Sequence, residues 1–290
     1  MQSIQNDQLT IEVSEHGAEL QSIKRNMDGL EYLWQGDPEH WGKRSPVLFP
    51  IIGSLKEDTF FYEGDAFKLP RHGLARTRKF ELVESTDNQL IYELKADIES
   101  ADIYPFEFSL KMIYKLAAKS LNITYVITNL SSTSDCWFSI GAHPAFNCPL
   151  LPNSKRSDYD LVFDRSQTLD TELLDDVGLR SGKKRRIITE EKTIPITDTL
   201  FDDDALIFSN MKSKSLSLVK DGTSLLQVEF QDFDYLGIWS ASREAPFVCI
   251  EPWLGVADHI DHNQDFKQKE GIIKLAPGSE KRYSFTISIL

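Results

Sequence analysis

Cysteine is scarce in this chain. Three occur in 290 residues, Cys136, Cys148 and Cys249; the number is odd, no C-x-x-C pair is present, and each sits in apolar or aromatic company. They read as reduced, buried and inert thiols, not as a disulfide framework or a zinc knuckle. Long apolar runs are absent too: no stretch approaches the ~18 residues of a membrane span. The opening MQSIQNDQLTIEVSEHG has neither a basic start nor an apolar stretch, so no export signal is read there and a cytoplasmic location is expected. Positive charge is in deficit, 32 Lys and Arg against 45 Asp and Glu, a formal net charge of -13. That balance opposes nucleic acid and anionic membranes as partners and favours a small or neutral molecule. The one basic cluster, RSGKKRR at residues 180–186, stands alone without interleaved aromatics and is read as a solvated loop. There is no GxSxG elbow, Walker loop, GxGxxG or HExxH, so serine hydrolase, nucleotidase, dehydrogenase and zinc-protease chemistry lack their entry motifs. No helical repeat is sustained over a dozen residues, and candidates such as residues 38–41 amount to single turns.

What the chain has is strand periodicity. LTIEV, AELQSIK, FELVE, LIYELK, FEFSLKMIYKL, LNITYVITNL, CWFSIGA, YDLVFD, LSLVK, LLQVEF and RYSFTISIL alternate apolar and polar residues and are rich in Val, Ile, Phe, Tyr and Thr. Turn residues separate several of them, EGD at 63–65, STDNQ at 85–89 and KDGT at 220–223, as hairpins require. So many strands must form two packed sheets or a closed barrel, since one open sheet of that width would curl or split. No internal repeat and no linker is visible, and a chain of this length can bury roughly 75% of its unfolded surface. The expectation is an all-β, large antiparallel sandwich, with residues 1–290 forming a single domain.

Four stretches place ionisable groups where strands end, where loops can converge on a ligand. PRHGLAR, residues 70–76, sets His72 between Arg71 and Arg76; the two cations favour neutral imidazole, and Gly73 lets another chain or a ligand approach. A solvated turn is the plain alternative. In SIGAHPAFN a strand gives way to His143, held by the fixed φ of Pro144. FDDDALIF offers Asp202, Asp203 and Asp204 ahead of an apolar strand, an ordinary solvated loop on its own and without calcium-loop spacing. In FVCIEPWLGVAD, Glu251 follows an apolar run; desolvation by Cys249, Ile250 and Trp253 should raise its pKa toward that of a general base at neutral pH. The alternative is an edge-strand glutamate paired with arginine. DHIDH, residues 258–262, has metal-like residue types but no third ligand and is read as a surface turn.

Taken in order, FPIIGSLKED, RHGLAR, GAHPAF, DDALIF and CIEPWLGVAD resemble the aldose 1-epimerase (galactose mutarotase) family, most closely its bacterial LacX-type branch. LAPGSEKRYSFTISI is similar to that family's last hairpin. The resemblance implies a β-supersandwich with an open sugar cleft, no metal, no cofactor and interconversion of the α and β anomers of an aldose. It makes His143 the general acid toward the ring oxygen, Glu251 the base toward the C1 hydroxyl, His72 a sugar-binding histidine and Asp204 the substrate-binding aspartate, with Asp202 and Asp203 as competitors. Arg71 and Arg76 would donate to sugar oxygens. Trp253, Phe146, Trp34 or Trp41 would offer an apolar face, although large aromatics in a β-sandwich are more often core. Many relatives carry an arginine after PIIG where this chain has Ser54; Arg44, Lys56, Arg71 or Arg76 would have to replace it. On this view an acid and a base flank the sugar, with His143 protonated and Glu251 ionised. The protein would be a monomer or homodimer. The alternatives are a hexose-6-phosphate 1-epimerase, glycoside hydrolysis by Asp204 and Glu251, and a non-catalytic sugar-binding protein.

Overall fold

A computed structural model describes all 290 residues. A nine-stranded and a six-stranded sheet dominate, with a three-stranded sheet at the N-terminus and two two-stranded ribbons; neighbouring strands within them run antiparallel. The strands Phe108–Ala117 and Ser120–Asn129 show why the alternation counts. Leu110, Met112, Tyr114 and Leu116 face Ile127, Tyr125, Ile123 and Leu121 across the register, and all eight are buried. On the opposite face of Ser120–Asn129, Ser120, Asn122 and Thr124 hydrogen-bond Ser288, Thr286 and Ser284 of the last strand, Glu280–Ile289. One face is core and the other a polar ladder, the period-two outcome of a half-covered sheet. Inward faces from both large sheets and the N-terminal sheet share one cluster of 64 buried hydrophobic residues.

The six-stranded sheet carries Leu206–Ser209, Tyr235–Trp239, Phe247–Leu254, Ile140–Ala142 and Val47–Leu48 in that order, with Ala145–Asn147 also pairing Phe247–Leu254. Phe247–Leu254 is buried at every position, which explains its lack of alternation: both faces are covered. Glu251 therefore lies on an interior strand, not on an edge.

Three expectations are corrected. Residues 180–186 open the strand Arg180–Pro195, which forms a long hairpin with Tyr159–Leu174. Its three arginines are paired locally, while Lys183 and Lys184 are exposed: Arg180 is buried between Glu172 (3.1 Å) and Glu270 (2.6 Å), Arg185 meets Asp203 at 3.4 Å, and Arg186 pairs with Asp170. CWFSIGA is two strands, because Cys136–Phe138 pairs with Ile273–Leu275 whereas Ile140–Ala142 joins the six-stranded sheet. DHIDH is not a simple surface turn. Asp258 is buried and bonded to buried Lys269 at 2.8 Å, and it also accepts the backbone N–H of Lys56.

Candidate active site

Strand register brings the two central groups together. Gly141 pairs with Trp253 and Ala145 with Cys249, so the same register carried across the His143–Pro144 break sets His143 opposite Glu251. Directly opposed residues project to the same face of a sheet. His143 Nε2 indeed lies 3.3 Å from Glu251 Oε2, close but without hydrogen-bond alignment, since that carboxylate oxygen and His143 Nδ1 both lack a protein partner. Trp41 stacks on the imidazole at 4.8 Å between centroids, and Trp239 and His72 meet it edge-on, each at 5.7 Å. This aromatic box governs the charge states. Burial pushes His143 down to about 3, with Arg76 and Arg71 adding to the effect; burial also raises Glu251 well above the usual carboxylate range, Asp204 adding and Arg71 opposing. The expected raise on Glu251 is found. Desolvation acts on both groups against the charged forms that the acid-base reading requires.

His72 is oriented by its own turn. Its backbone N–H donates to Gly53 O at 2.9 Å, and Gly53 N–H donates to His72 Nδ1 at 3.1 Å. With Nδ1 accepting, the neutral ring carries its proton on Nε2. His72 is held well below its ordinary pKa by burial first, then by His143, Arg71 and Arg76. The flanking cations act in the expected direction but are the smaller cause. Gly73 has a different use from ligand approach: a Cβ there would lie 2.3 Å from Phe49 O, so the close partner is the chain itself.

These groups line a cleft of about 430 Å³ together with Arg71, Arg76, Asp204, Trp41, Phe201, Trp239 and Trp253. Of the three aspartates, Asp202 is engaged by Arg243 at 2.9 Å and Asp203 by Arg185, while Asp204 faces Arg71 at 4.0 Å in the cleft. The candidate cations for the position of Ser54 separate as well. Arg44 binds Gln21 O and Gln35, and Lys56 reaches His262 O; Arg71 and Arg76 face the cleft. A Cβ on Gly178 would sit 3.2 Å from both Ser54 Oγ and Arg71 Nη1, so the Arg71 guanidinium lies beside Ser54. Arg76 braces that loop by donating to Arg71 O at 2.8 Å.

The aromatics divide between cleft and core. Trp253 lines the cleft, its Nε1–H donating to Ala142 O at 3.2 Å. Its ring needs Gly237, where a Cβ would stand 2.4 Å from the indole. Trp41 lines the cleft too; Phe146 is fully buried core, and Trp34 packs on Phe247 at 5.1 Å. Trp239 and Phe201 also line the cleft and were not singled out in the sequence; Gly237, two residues before Trp239, makes room for Trp253 and marks neither of them. His143, Cys249 and Glu251 each offer a donor atom within 4.8 Å of the others, a set able to hold a metal ion.

Comparison with known proteins gives the family and the fold. The family model described as aldose 1-epimerase matches residues 1–274. The chain belongs to the aldose 1-epimerase family. Within it, the chain is 35% identical to the chromosomal protein LacX of Lactococcus lactis subsp. lactis, covering 99% of this chain and 98% of the relative. A galactose mutarotase related enzyme from Lactobacillus acidophilus superposes with a TM-score of 0.94 at 33% identity, covering 100% of this chain and 97% of that one. A galactose mutarotase-like protein from Lactobacillus casei gives 0.93 at 30% identity with full coverage of both chains. The architecture is thus the galactose mutarotase-like β-sandwich, and the family is one of sugar-processing isomerases.

Proposed function

We propose that the protein is an aldose 1-epimerase that opens and recloses the pyranose ring of an aldohexose by acid-base catalysis, with His143 and Glu251 as the reacting pair. The observation that carries this reading is the 3.3 Å separation of the pair on the cleft floor. Ring opening removes a proton from O1 and delivers one to O5, and both oxygens are bonded to C1. An acid and a base placed side by side can serve two oxygens bonded to one carbon.

The reactive form of the pair is imidazolium with carboxylate, which holds one proton beyond neutral imidazole and carboxylate. A sugar O1–H donating to Glu251 and an O5 accepting from His143 favour that form. His143 then protonates O5 as C1–O5 breaks, while Glu251 takes the O1 proton and the aldehyde forms. Rotation about C1–C2 turns the other carbonyl face toward the C5 hydroxyl. Closure runs the same transfers in reverse and restores the pair. Each positioned group is worth about 10²–10⁴-fold, ample for a reaction that water already performs. His72 Nε2–H donates to a sugar hydroxyl, Asp204 accepts from one, Arg71 and Arg76 donate to sugar oxygens, and Trp253 gives the ring an apolar face.

One feature favours a phosphorylated sugar as a second reading. Two guanidiniums, Arg71 and Arg76, line the cleft of a chain whose net charge is -13. The deciding experiment follows anomer exchange of freshly dissolved α-glucose, α-galactose and their 6-phosphates by NMR. Acceleration of free hexoses supports the primary reading, and acceleration restricted to the phosphates the second. Binding with every rate at the buffer level refutes both and leaves a sugar-binding protein.

A further inference from the structure

We propose that His143, Cys249 and Glu251 form a binding site for a thiophilic divalent cation of the zinc class, and that the bound ion blocks the cleft. The geometry comes from the central strand. Cys249 and Glu251 are two residues apart on Phe247–Leu254 and project to one face; His143 approaches that face from the opposing chain. One sulfur, one imidazole nitrogen and one carboxylate oxygen lie within 4.8 Å of one another, the His143–Glu251 pair already at 3.3 Å. Tetrahedral zinc with bonds of about 2.0–2.3 Å needs its ligands roughly 3.5 Å apart, so side-chain adjustment of about 1 Å closes the set.

The donor types select the ion. A thiolate and an imidazole favour zinc, cadmium or cobalt over magnesium or calcium, which require oxygen ligands. A dication with one thiolate and one carboxylate is a cluster of zero net charge, as suits a position buried under Trp41 and Trp239; the thiol and carboxyl protons pass to solvent as the ion enters. Glu251 Oε2, the oxygen facing His143 Nε2, has no hydrogen-bond partner in the protein, so binding there breaks no hydrogen bond of that oxygen. Three protein ligands leave the fourth position of a tetrahedral ion open, and the cleft is where it would point. Cys136 and Cys148 lack such company: Cys136 lies against Tyr104 OH at 3.4 Å, and neither has a nearby histidine and carboxylate in this arrangement.

Binding does not depend on the proposed activity; blocking does. Zn²⁺ is titrated calorimetrically into chelator-treated protein, and Cd²⁺ is followed by its thiolate charge-transfer absorption, with Mg²⁺ as the hard-cation control. One ion per chain is expected, with a cadmium–thiolate band that survives Cys136→Ser and disappears in Cys249→Ser and Cys249→Ala. Loss of an outer-sphere partner typically weakens a site about 10–100-fold, so removing a direct sulfur ligand must cost at least that. Folding of each variant is checked by circular dichroism, and Ser, close to Cys in volume, covers the case in which Ala perturbs packing. No stoichiometric binding, or binding indifferent to both Cys249 variants, overturns the site. Zinc is then added to the anomer-exchange assay: inhibition of the wild type with about tenfold or greater resistance in Cys249→Ser is the expected result. Binding without inhibition overturns the blocking role alone. If metal-free protein never accelerates anomer exchange, the functional reading fails while the binding result stands.

Discussion

Removing either member of the His143–Glu251 pair should cost nearly as much as removing both. At 3.3 Å and an effective dielectric of about 20, unit charges on the two groups interact by roughly 5 kcal/mol, so neither reaches its reactive charge state without the other. Glu251→Gln and His143→Asn should each slow anomer exchange about 10²–10⁴-fold, or about 2.7–5.5 kcal/mol. The double variant should fall within about tenfold of the slower single, since groups acting as one unit are strongly non-additive. Polarimetry and NMR exchange measurements on the four proteins complete the cycle, with buffer catalysis subtracted. Stability should move the other way. A carboxyl whose pKa is raised by folding ionises more readily in the unfolded chain, so the wild type loses stability as pH rises above the ordinary 4.5 and stops losing it beyond the folded value. Glu251→Gln should therefore show a melting-temperature advantage that grows as pH rises above about 5 and levels off once the raised folded value is passed. A double variant whose loss is the product of the single losses would refute the coupled pair, and a pH-independent melting difference would refute its burial.

The pH-rate profile should be a bell with an unusual acid limb. Activity falls when the pair takes a second proton, which His143 accepts only near its depressed value of about 3 instead of the ordinary 6.5; it falls again when the pair loses its one proton at the raised value of Glu251. An acid limb near 6.5 would contradict the dry environment of His143. Gly237→Ala should displace Trp253, because the new Cβ would lie 2.4 Å from its ring; about 1–3 kcal/mol of stability and weaker sugar binding should be lost together in denaturation and saturation experiments. Asp258→Ala should cost about 3–5 kcal/mol by stranding buried Lys269, whose ammonium also donates to Val256 O at 2.7 Å. Denaturant titration tests this, and Asp258→Ala with Lys269→Met should recover part of the loss.

Much of this protein was legible in the order of its residues. Period-two alternation marked strands such as Ser120–Asn129 because one face of each meets the core and the other meets polar neighbours, a local property that needs no knowledge of partners. The five motifs from FPIIGSLKED to CIEPWLGVAD carried the family and the candidate pair. The apolar neighbours in FVCIEPW pointed to a desolvated carboxylate, and the interior position of Phe247–Leu254 ruled out the edge-strand alternative. Tertiary structure decided what depends on register and on competition for partners. It set His143 opposite Glu251 through pairing of Gly141 with Trp253 and Ala145 with Cys249. Arg243 and Arg185 engaged Asp202 and Asp203 and left Asp204 to the cleft. Gly73 went against Phe49, not against a ligand, and a basic run became the paired strand Arg180–Pro195. The direction in which burial moves the pair's pKa values was also decided there, because residue type names the group that titrates, whereas the aromatic walls of Trp41 and Trp239 set how much water it keeps.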